Sequence, residues 1–393
     1  MSTRFKLFAL CSPGLESLLF TELQELGHKG KVLAGGVEFS ADAVGLWQVS
    51  RHSRLAEAVR VRLKSFRAFD FEQLIEGAAK LPWHAYVAKE AKFSLHVTSK
   101  KSALYHTDAV SERLAQALMQ QRSGSSRVGA KEPADARIFV RLDRDNVQCS
   151  IDATGQSLHK RGYRKHVVRA SIRETLAAAL SRLLRESLTG EPVQVSPPSV
   201  VWDPFCGAGT LLLEHSALFS GFTRTPREFA FERWPTHSAT DYDGWRAAQL
   251  DADSALDADG ELARDEKLHL IGSDRSAHAV KSARANAELL PPRANVSSFD
   301  WFHGDFDTVA KQVPQGAAVL GNPPYGRRLQ PGEAKQGLAR FEKLLQRRVD
   351  LRPVIIVTGG EAKPGAVLKD WQSVARFSNG GQPVQAWRLP KQA

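Results

Sequence analysis

Cysteine is scarce in this chain. Three occur among 393 residues, Cys11, Cys149 and Cys206, and no two make a Cys-x-x-Cys pair. That excludes a disulfide framework, argues against a structural metal, and fits a reducing cytoplasmic setting. Long apolar runs are missing as well. None reaches the roughly 18 residues of a membrane-spanning helix, so no membrane association is expected. The opening residues, MSTRFKLFALCSPGLE, pass from a short apolar stretch directly into a patterned helix and do not read as a secretory leader. There is no internal repeat, no long low-complexity tract and no sign of an obligate protein partner.

What the chain does have is positive charge, unevenly spread. Residues 1–200 carry 30 Lys+Arg against 20 Asp+Glu, and residues 201–393 carry 24 against 23. Nearly all of the net +11 therefore lies in the first half. A localised basic excess with aromatics among it suits a polyanionic partner, nucleic acid above all; a merely basic, solvated surface is the alternative.

The length implies two or three domains. The first 156 residues alternate short strands (RFKLFALC, VEFS, KFSLHVTSK) with helices (PGLESLLFTELQELG, SERLAQALMQQR), the mark of small α+β units. From about residue 170 the pattern changes. Apolar strands SVVWDPFC, KLHLIGSD, VSSFDWFHGDF, GAAVLGNPPY and RPVIIVTGG alternate with helices, which predicts a doubly wound α/β sheet of parallel strands. SNGGQPVQAWRL adds an Asn-Gly turn before an alternating strand, an antiparallel hairpin at the sheet's end. The Asp-rich stretch within 220–266 reads as a partly helical surface insertion.

In an open α/β sheet, ligands bind beyond the carboxyl ends of the strands. The first such strand ends in DPFCGAGT, Asp203 to Thr210. It lacks the lysine of a phosphate-binding P-loop, and Leu212 stands where a dinucleotide loop needs its third glycine. A ligand without phosphates remains, and S-adenosylmethionine fits. Asp203 suits its ammonium and sulfonium, Phe205 lies within the loop, Gly207 and Gly209 allow close backbone approach, and the helix start at Thr210 suits its carboxylate. Asp274, ending the second strand, either caps the next helix or accepts from ribose hydroxyls; beside the glycine loop the ribose role is the reading. Asp305, ending the third, is either a cap or an acceptor for the adenine amino group.

The fourth strand ends in GNPPYGRRL. Each proline removes an N–H and holds its predecessor extended, so the segment is rigid and rich in acceptors. Asn322 Oδ1 and the carbonyl of Pro323, stiffened by Pro324, match the two N–H bonds of an exocyclic amino group. Tyr325 offers a face on which a base can stack. These four residues are the catalytic candidates. Holding both hydrogens steers the nitrogen lone pair toward a sulfonium methyl, and the acceptors stabilise the charge growing on nitrogen.

These motifs resemble those of the THUMP-domain class I RNA methyltransferases, most of all the RlmL-type 23S rRNA guanine-N2 enzymes. PGLESLLFTELQELG, GGVEF, SLHKRGYR, RETLAAAL and FAFERWP carry the likeness over nearly the whole chain. The resemblance implies a ferredoxin-like region (1–50), a THUMP RNA-binding domain (51–156), a basic linker (157–169) and a Rossmann-like class I S-adenosylmethionine methyltransferase domain (170–393). It implies a guanine N2 acceptor, which the residues alone do not distinguish from adenine N6. It also implies RNA contact by Lys160, Arg161, Tyr163, Arg164, Lys165 and Arg169, and phosphate contact by Arg327 and Arg328 beside the catalytic loop. The competing readings are a tRNA guanine-N2 methyltransferase, a DNA adenine-N6 methyltransferase and a non-catalytic RNA-binding assembly factor.

Overall fold

A computed structural model describes residues 4–168, 171–189, 200–220, 224–258, 268–290, 298–325, 332–360 and 362–390. The chain divides into two compact units. One holds Met1–Cys11, Phe20–Leu158 and Pro226–Ala247; the other holds Ser12–Leu19, His159–Thr225 and Ala248–Ala393.

The first unit contains β1 (Phe5–Leu10), most of α1 (Glu16–Glu25), β2 (Gly30–Leu33), β3 (Gly36–Ala41), α2 (Ala43–His52), β4 (Ala58–Arg62), β5 (Phe66–Arg67) and α3 (Phe71–Ala79). It continues with β6 (Lys92–Lys100), α4 (Thr107–Gln121), β7 (Ser126–Arg127), β8 (Ala136–Asp143) and β9 (Asn146–Asp152). Strands β1 to β9 join one sheet in the order β2-β3-β1-β4-β9-β8-β6-β7, with β5 beside β9. Strand β4 shows why the pattern AVRVR makes a half-buried strand. Val59 and Val61 point into the core. Arg60 and Arg62 emerge on the other face, their guanidinium groups 3.3 Å from the centre of the Phe139 ring and 3.9 Å from that of Phe8. Arg144 and Asp145 join β8 to β9 with φ of 52° and 61°, the two left-handed residues that a tight I′ hairpin requires. Asp42 and Asp70 cap α2 and α3 by accepting from the backbone N–H groups of Gly45 and Gln73.

Residues 226–247 correct part of the sequence reading. They lie in this first unit rather than in a surface insertion, and Phe229, Phe231, Trp234 and Tyr242 are buried. The Phe231 N–H donates to the Ala153 carbonyl (3.0 Å), and Tyr242 meets Trp47 edge-on at 5.2 Å. The segment's interspersed charges, four acidic and three basic, hide an aromatic face that has a core to enter.

The second unit begins with α5 (Glu174–Thr189), β10 (Val200–Asp203) and α6 (Thr210–Ser220). Helix α7 (Ala239–Ala258) is shared by the two units in chain order. Then follow β11 (His269–Asp274), α8 (Ala277–Ala287), β12 (Phe299–His303), α9 (Phe306–Val309), β13 (Ala318–Gly321), α10 (Glu333–Arg347), β14 (Val354–Gly359), β15 (Gln372–Asn379) and β16 (Gln382–Leu389). The sheet order is β12-β11-β10-β13-β14-β16-β15. The pairs from β12 to β14 are parallel; β16 runs antiparallel to β14 and pairs with β15 in the expected hairpin. Trp202, Val319 and Ile356 form its core with Phe341 and Leu345 of α10. Chain order reverses between β10 and β13, so the crevice beyond their carboxyl ends is where this topology leaves room for a ligand.

A buried carboxylate ties down the approach to the hairpin. Glu342 accepts from the backbone N–H groups of Gly365 (2.8 Å), Ala366 (3.0 Å), Val367 (3.2 Å) and Leu368 (3.4 Å) and from the Trp371 indole (2.8 Å). Glu342→Ala strands these donors. Because water can still reach the part-buried loop, the expected loss is about 2–3 kcal/mol, read as a lowered urea midpoint with the m-value unchanged.

Candidate active site

A cleft of about 880 Å³ opens at the carboxyl ends of β10, β11 and β13. It is lined by parts of every motif singled out there: Asp203 to Ala208, Thr210, Asp274 and Asn322 to Tyr325. Strand β10 delivers Asp203, which is wholly buried. Its Oδ1 accepts from the Phe205 N–H (2.9 Å), while its Oδ2 makes no hydrogen bond within the protein. Burial pushes this carboxyl well above the ordinary carboxylate range, and the neighbouring Asp274 pushes the same way.

The two loop glycines differ. Gly207 (φ +52°) has open space on its cleft side: an added Cβ would meet only Val168, at 3.5 Å, and the Phe205 carbonyl at 4.0 Å. Gly209 (φ +82°) is taken up by packing, since a Cβ there would sit 3.0 Å from the Trp301 ring and 3.2 Å from Ala283. Of the two, Gly207 leaves its backbone open to a ligand. Thr210 opens α6 with its hydroxyl buried and unbonded within the protein.

Asp274 does not cap the helix after β11; Ser276 does, accepting from Ala279. Asp274 instead accepts from the Gly207 N–H (3.0 Å) and the Ser276 N–H (2.9 Å), which clamps the glycine loop to β11. Each of its oxygens keeps a second lone pair for a ligand hydroxyl. Asp305 takes the first of its two sequence readings. It caps α9, accepting from Asp307, and pairs with Arg340, and it is not among the residues lining the cleft. Its neighbour Phe306 does line the cleft, edge-on to Phe205 at 5.6 Å.

At the end of β13, Asn322 Oδ1 is buried and makes no hydrogen bond within the protein. Pro323 is buried and Pro324 exposed. The Tyr325 hydroxyl accepts from Asn379 Nδ2 (2.9 Å). Three orphaned polar atoms, Asp203 Oδ2, Thr210 Oγ1 and Asn322 Oδ1, thus belong to residues of one cleft. A carboxylate, a hydroxyl and an amide oxygen suit a ligand that is cationic at one point and rich in N–H and O–H groups, as S-adenosylmethionine with an amino acceptor is. No cluster of three potential metal ligands occurs among the described residues.

Residues 161–372 match the family model described as the RMKL-like methyltransferase domain. The chain belongs to that family. Residues 6–60 match the RlmL ferredoxin-like domain and residues 68–152 the THUMP domain. The protein is an S-adenosylmethionine-dependent methyltransferase of the RMKL-like family. Among its relatives is the Bacillus subtilis protein named "Putative RNA methyltransferase YpsC", 28% identical over 91% of this chain and 89% of that one. The "Ribosomal RNA large subunit methyltransferase K/L" of Saccharophagus degradans is 32% identical over 84% of this chain, which spans only 43% of that longer protein. A crystal structure described as "SMU.472, a putative methyltransferase complexed with SAH" matches over 100% of both chains with a TM-score of 0.79 at 24% identity, and so shares the fold.

The basic stretch before the RMKL-like domain's first helix corrects two expectations. Arg161 and Tyr163 are 1% and 0% exposed and cannot meet RNA. Arg161 Nε lies 2.9 Å from Glu214 Oε1 on α6, and the Tyr163 hydroxyl donates to the same oxygen at 2.7 Å. Charge density in the sequence does not reveal this, because the partner carboxylate lies about 50 residues away on a helix. Arg164 is mostly covered, bonded to the Ile172 carbonyl (2.7 Å) and paired with Glu174 (3.2 Å). Lys160 and Lys165 are exposed. Arg169, Arg327 and Arg328 lie outside the described residues. Sequence reasoning misses Asn379, which reads as a turn residue. It also misses Asn286, whose amide accepts from the N–H groups of Lys165 and His166 and donates to the carbonyls of His166 and Ala208. Among the described residues no helix is long and apolar enough to cross a membrane.

Proposed function

We propose that this enzyme methylates the exocyclic N2 amino group of a guanine in 23S rRNA, with Asn322, Pro323, Pro324 and Tyr325 as its catalytic segment. The observation that carries the reading is Asn322 Oδ1: a buried acceptor, unbonded within the protein, at the end of a central strand in a cleft that Asp203 and Asp274 also line. The likeness to a ribosomal RNA large-subunit methyltransferase supports the substrate. Residues 51–156 would grip the RNA, with Lys160 and Lys165 following them in the chain, and cytoplasmic residence follows from a ribosomal target.

Asp203, Phe205, Gly207, Thr210 and Asp274 would hold the cofactor. When bound, S-adenosylmethionine supplies an electrophilic methyl on a sulfonium. The chain's own residues supply position and charge. Asn322 Oδ1 and the Pro323 carbonyl accept both amino hydrogens of the base, which fixes the direction of the nitrogen lone pair. The same acceptors stabilise positive charge on that nitrogen as it grows. Tyr325 stacks on the base, which must leave any duplex to reach the cleft. The methylated nitrogen is acidic enough to lose its proton to water, so no general base is required.

The deciding experiment presents labelled S-adenosylmethionine with unmodified 23S rRNA, bulk tRNA and DNA, followed by nucleoside analysis. N2-methylguanosine in 23S rRNA is the expected product. Label in tRNA keeps the chemistry and changes the substrate; N6-methyladenine in DNA or RNA overturns the acceptor; RNA binding without transfer leaves an assembly factor.

The raised pKa of Asp203 gives a second expectation. A bound sulfonium and ammonium favour its anionic form, so cofactor binding expels the proton that burial retains. Affinity therefore rises with pH below the raised pKa, by up to about tenfold per pH unit, and levels off above it. For the cofactor-free protein the sign is opposite. The native state holds a proton the unfolded chain has lost, so this group lowers stability as pH climbs from its unfolded pKa to its raised one. Calorimetric titration with S-adenosylmethionine in two buffers of different ionisation enthalpy should show net proton release, absent in Asp203→Asn.

A further inference from the structure

We infer that Asn379, at the tip of the β15–β16 hairpin, is a positioning residue that sets the plane of the Tyr325 ring for the incoming base. The inference rests on the base-stacking role proposed for Tyr325. Three features converge on that ring. Asn379 Nδ2 holds its hydroxyl at 2.9 Å. Gly359, at the end of β14, lies against the ring: a Cβ there would come within 2.7 Å of Tyr325 Cδ2 and 3.0 Å of Cε2, so any side chain at 359 would push the ring aside. The hairpin itself reaches the cleft, where Asn379, Gly380 and Gln382 stand among the lining residues with Asn322 and Tyr325. Gly380 and Gly381 turn the tip with φ of +60° and +83°.

The hairpin is anchored, which makes Asn379 a fixed strut. The backbone at Gly14 abuts β15 so closely that a Cβ there would overlap the Arg376 carbonyl oxygen at 1.7 Å. Ser12 Oγ donates to the Ser378 carbonyl at 3.4 Å, one residue from Asn379. An aromatic ring hinged at its Cβ can swing; one fixed also at its hydroxyl cannot. Stacking then brings the base to one orientation, in which its amino group faces Asn322 Oδ1. A small error in that orientation costs much of the benefit of in-line placement.

The test is a double-mutant cycle on methyl transfer, with Asn379→Ala, Tyr325→Phe and the two together, each assayed at saturating S-adenosylmethionine. Each single variant should lower kcat about tenfold or more, and the double variant no further, because both remove one hydrogen bond. The Kd for S-adenosylmethionine and the thermal midpoint should stay within experimental error of wild type, and Asn379→Asp, which can accept from the Tyr325 hydroxyl, should recover most of the rate. Additive losses, a parallel weakening of cofactor binding, or an unchanged kcat in Asn379→Ala would each overturn the inference. Wild type lacking guanine transfer would instead overturn the function proposed above, so the two failures are distinct.

Discussion

Asn322→Ala should lower kcat for methyl transfer by about 10²–10³-fold while leaving the Kd for S-adenosylmethionine within a fewfold of wild type. The size follows from what the side chain supplies. An exocyclic amino nitrogen is a weak nucleophile because its lone pair is delocalised into the ring. Two fixed acceptors both orient that lone pair and stabilise the charge it acquires. The variant keeps the Pro323 carbonyl, which cannot fix both hydrogens by itself. The amino group then regains rotational freedom and loses part of its charge stabilisation. The residues proposed to hold the cofactor lie elsewhere, from the end of β10 to the start of α6 and at the end of β11, so binding should persist. The measurement is single-turnover transfer to RNA beside calorimetric cofactor binding. Asn322→Asp sharpens it, since a carboxylate keeps the acceptor and should retain more activity than alanine does. Equal rates for wild type and Asn322→Ala would remove this residue from the chemistry.

How much of this is legible in the sequence depends on the range of the interactions. The parallel sheet, the loop after β10 and the Asn-Pro-Pro-Tyr segment are readable, because strand, turn and helix signals are local and lie in consecutive residues. That the ends of β10, β11 and β13 face one cleft is readable too, since topology alone puts them there. Partners distant in the chain are not. Arg161 and Tyr163 look like Lys160 and Lys165 in a basic run, yet Glu214 holds the first two in the interior while the second two stand in solvent. Asp305 looks like Asp274, but Arg340 claims it. Gly207 and Gly209 look alike, and only the Trp301 ring beside one of them tells their roles apart. Residues 226–247 look peripheral because interspersed charges of both signs mask their buried aromatics.

Glu214→Ala should destabilise the second unit by about 3–5 kcal/mol. Glu214 is wholly buried on α6, and its Oε1 takes both the Arg161 guanidinium and the Tyr163 hydroxyl. Truncation leaves a guanidinium in the interior with its main counter-charge gone, and a buried phenol without this acceptor. The loss is a large share of the roughly 5–15 kcal/mol that typically separates folded from unfolded domains. A second variant separates the cost of breaking the cluster from the worth of having it. Replacing all three groups together, with Arg161→Met, Tyr163→Phe and Glu214→Leu, leaves none of these charges behind and should lie closer to wild type than Glu214→Ala does. Urea unfolding of the full chain, followed by a probe in the second unit, reads both. Two further variants test the role of the basic segment. Tyr163→Phe should leave RNA affinity unchanged, because the ring never reaches solvent, whereas Lys160→Ala with Lys165→Ala should weaken it and flatten its salt dependence. Were Glu214→Ala as stable as wild type, Arg161 would have to leave the interior for water, and the segment 161–166 that Asn286 holds against the loop after β10 would have to move with it.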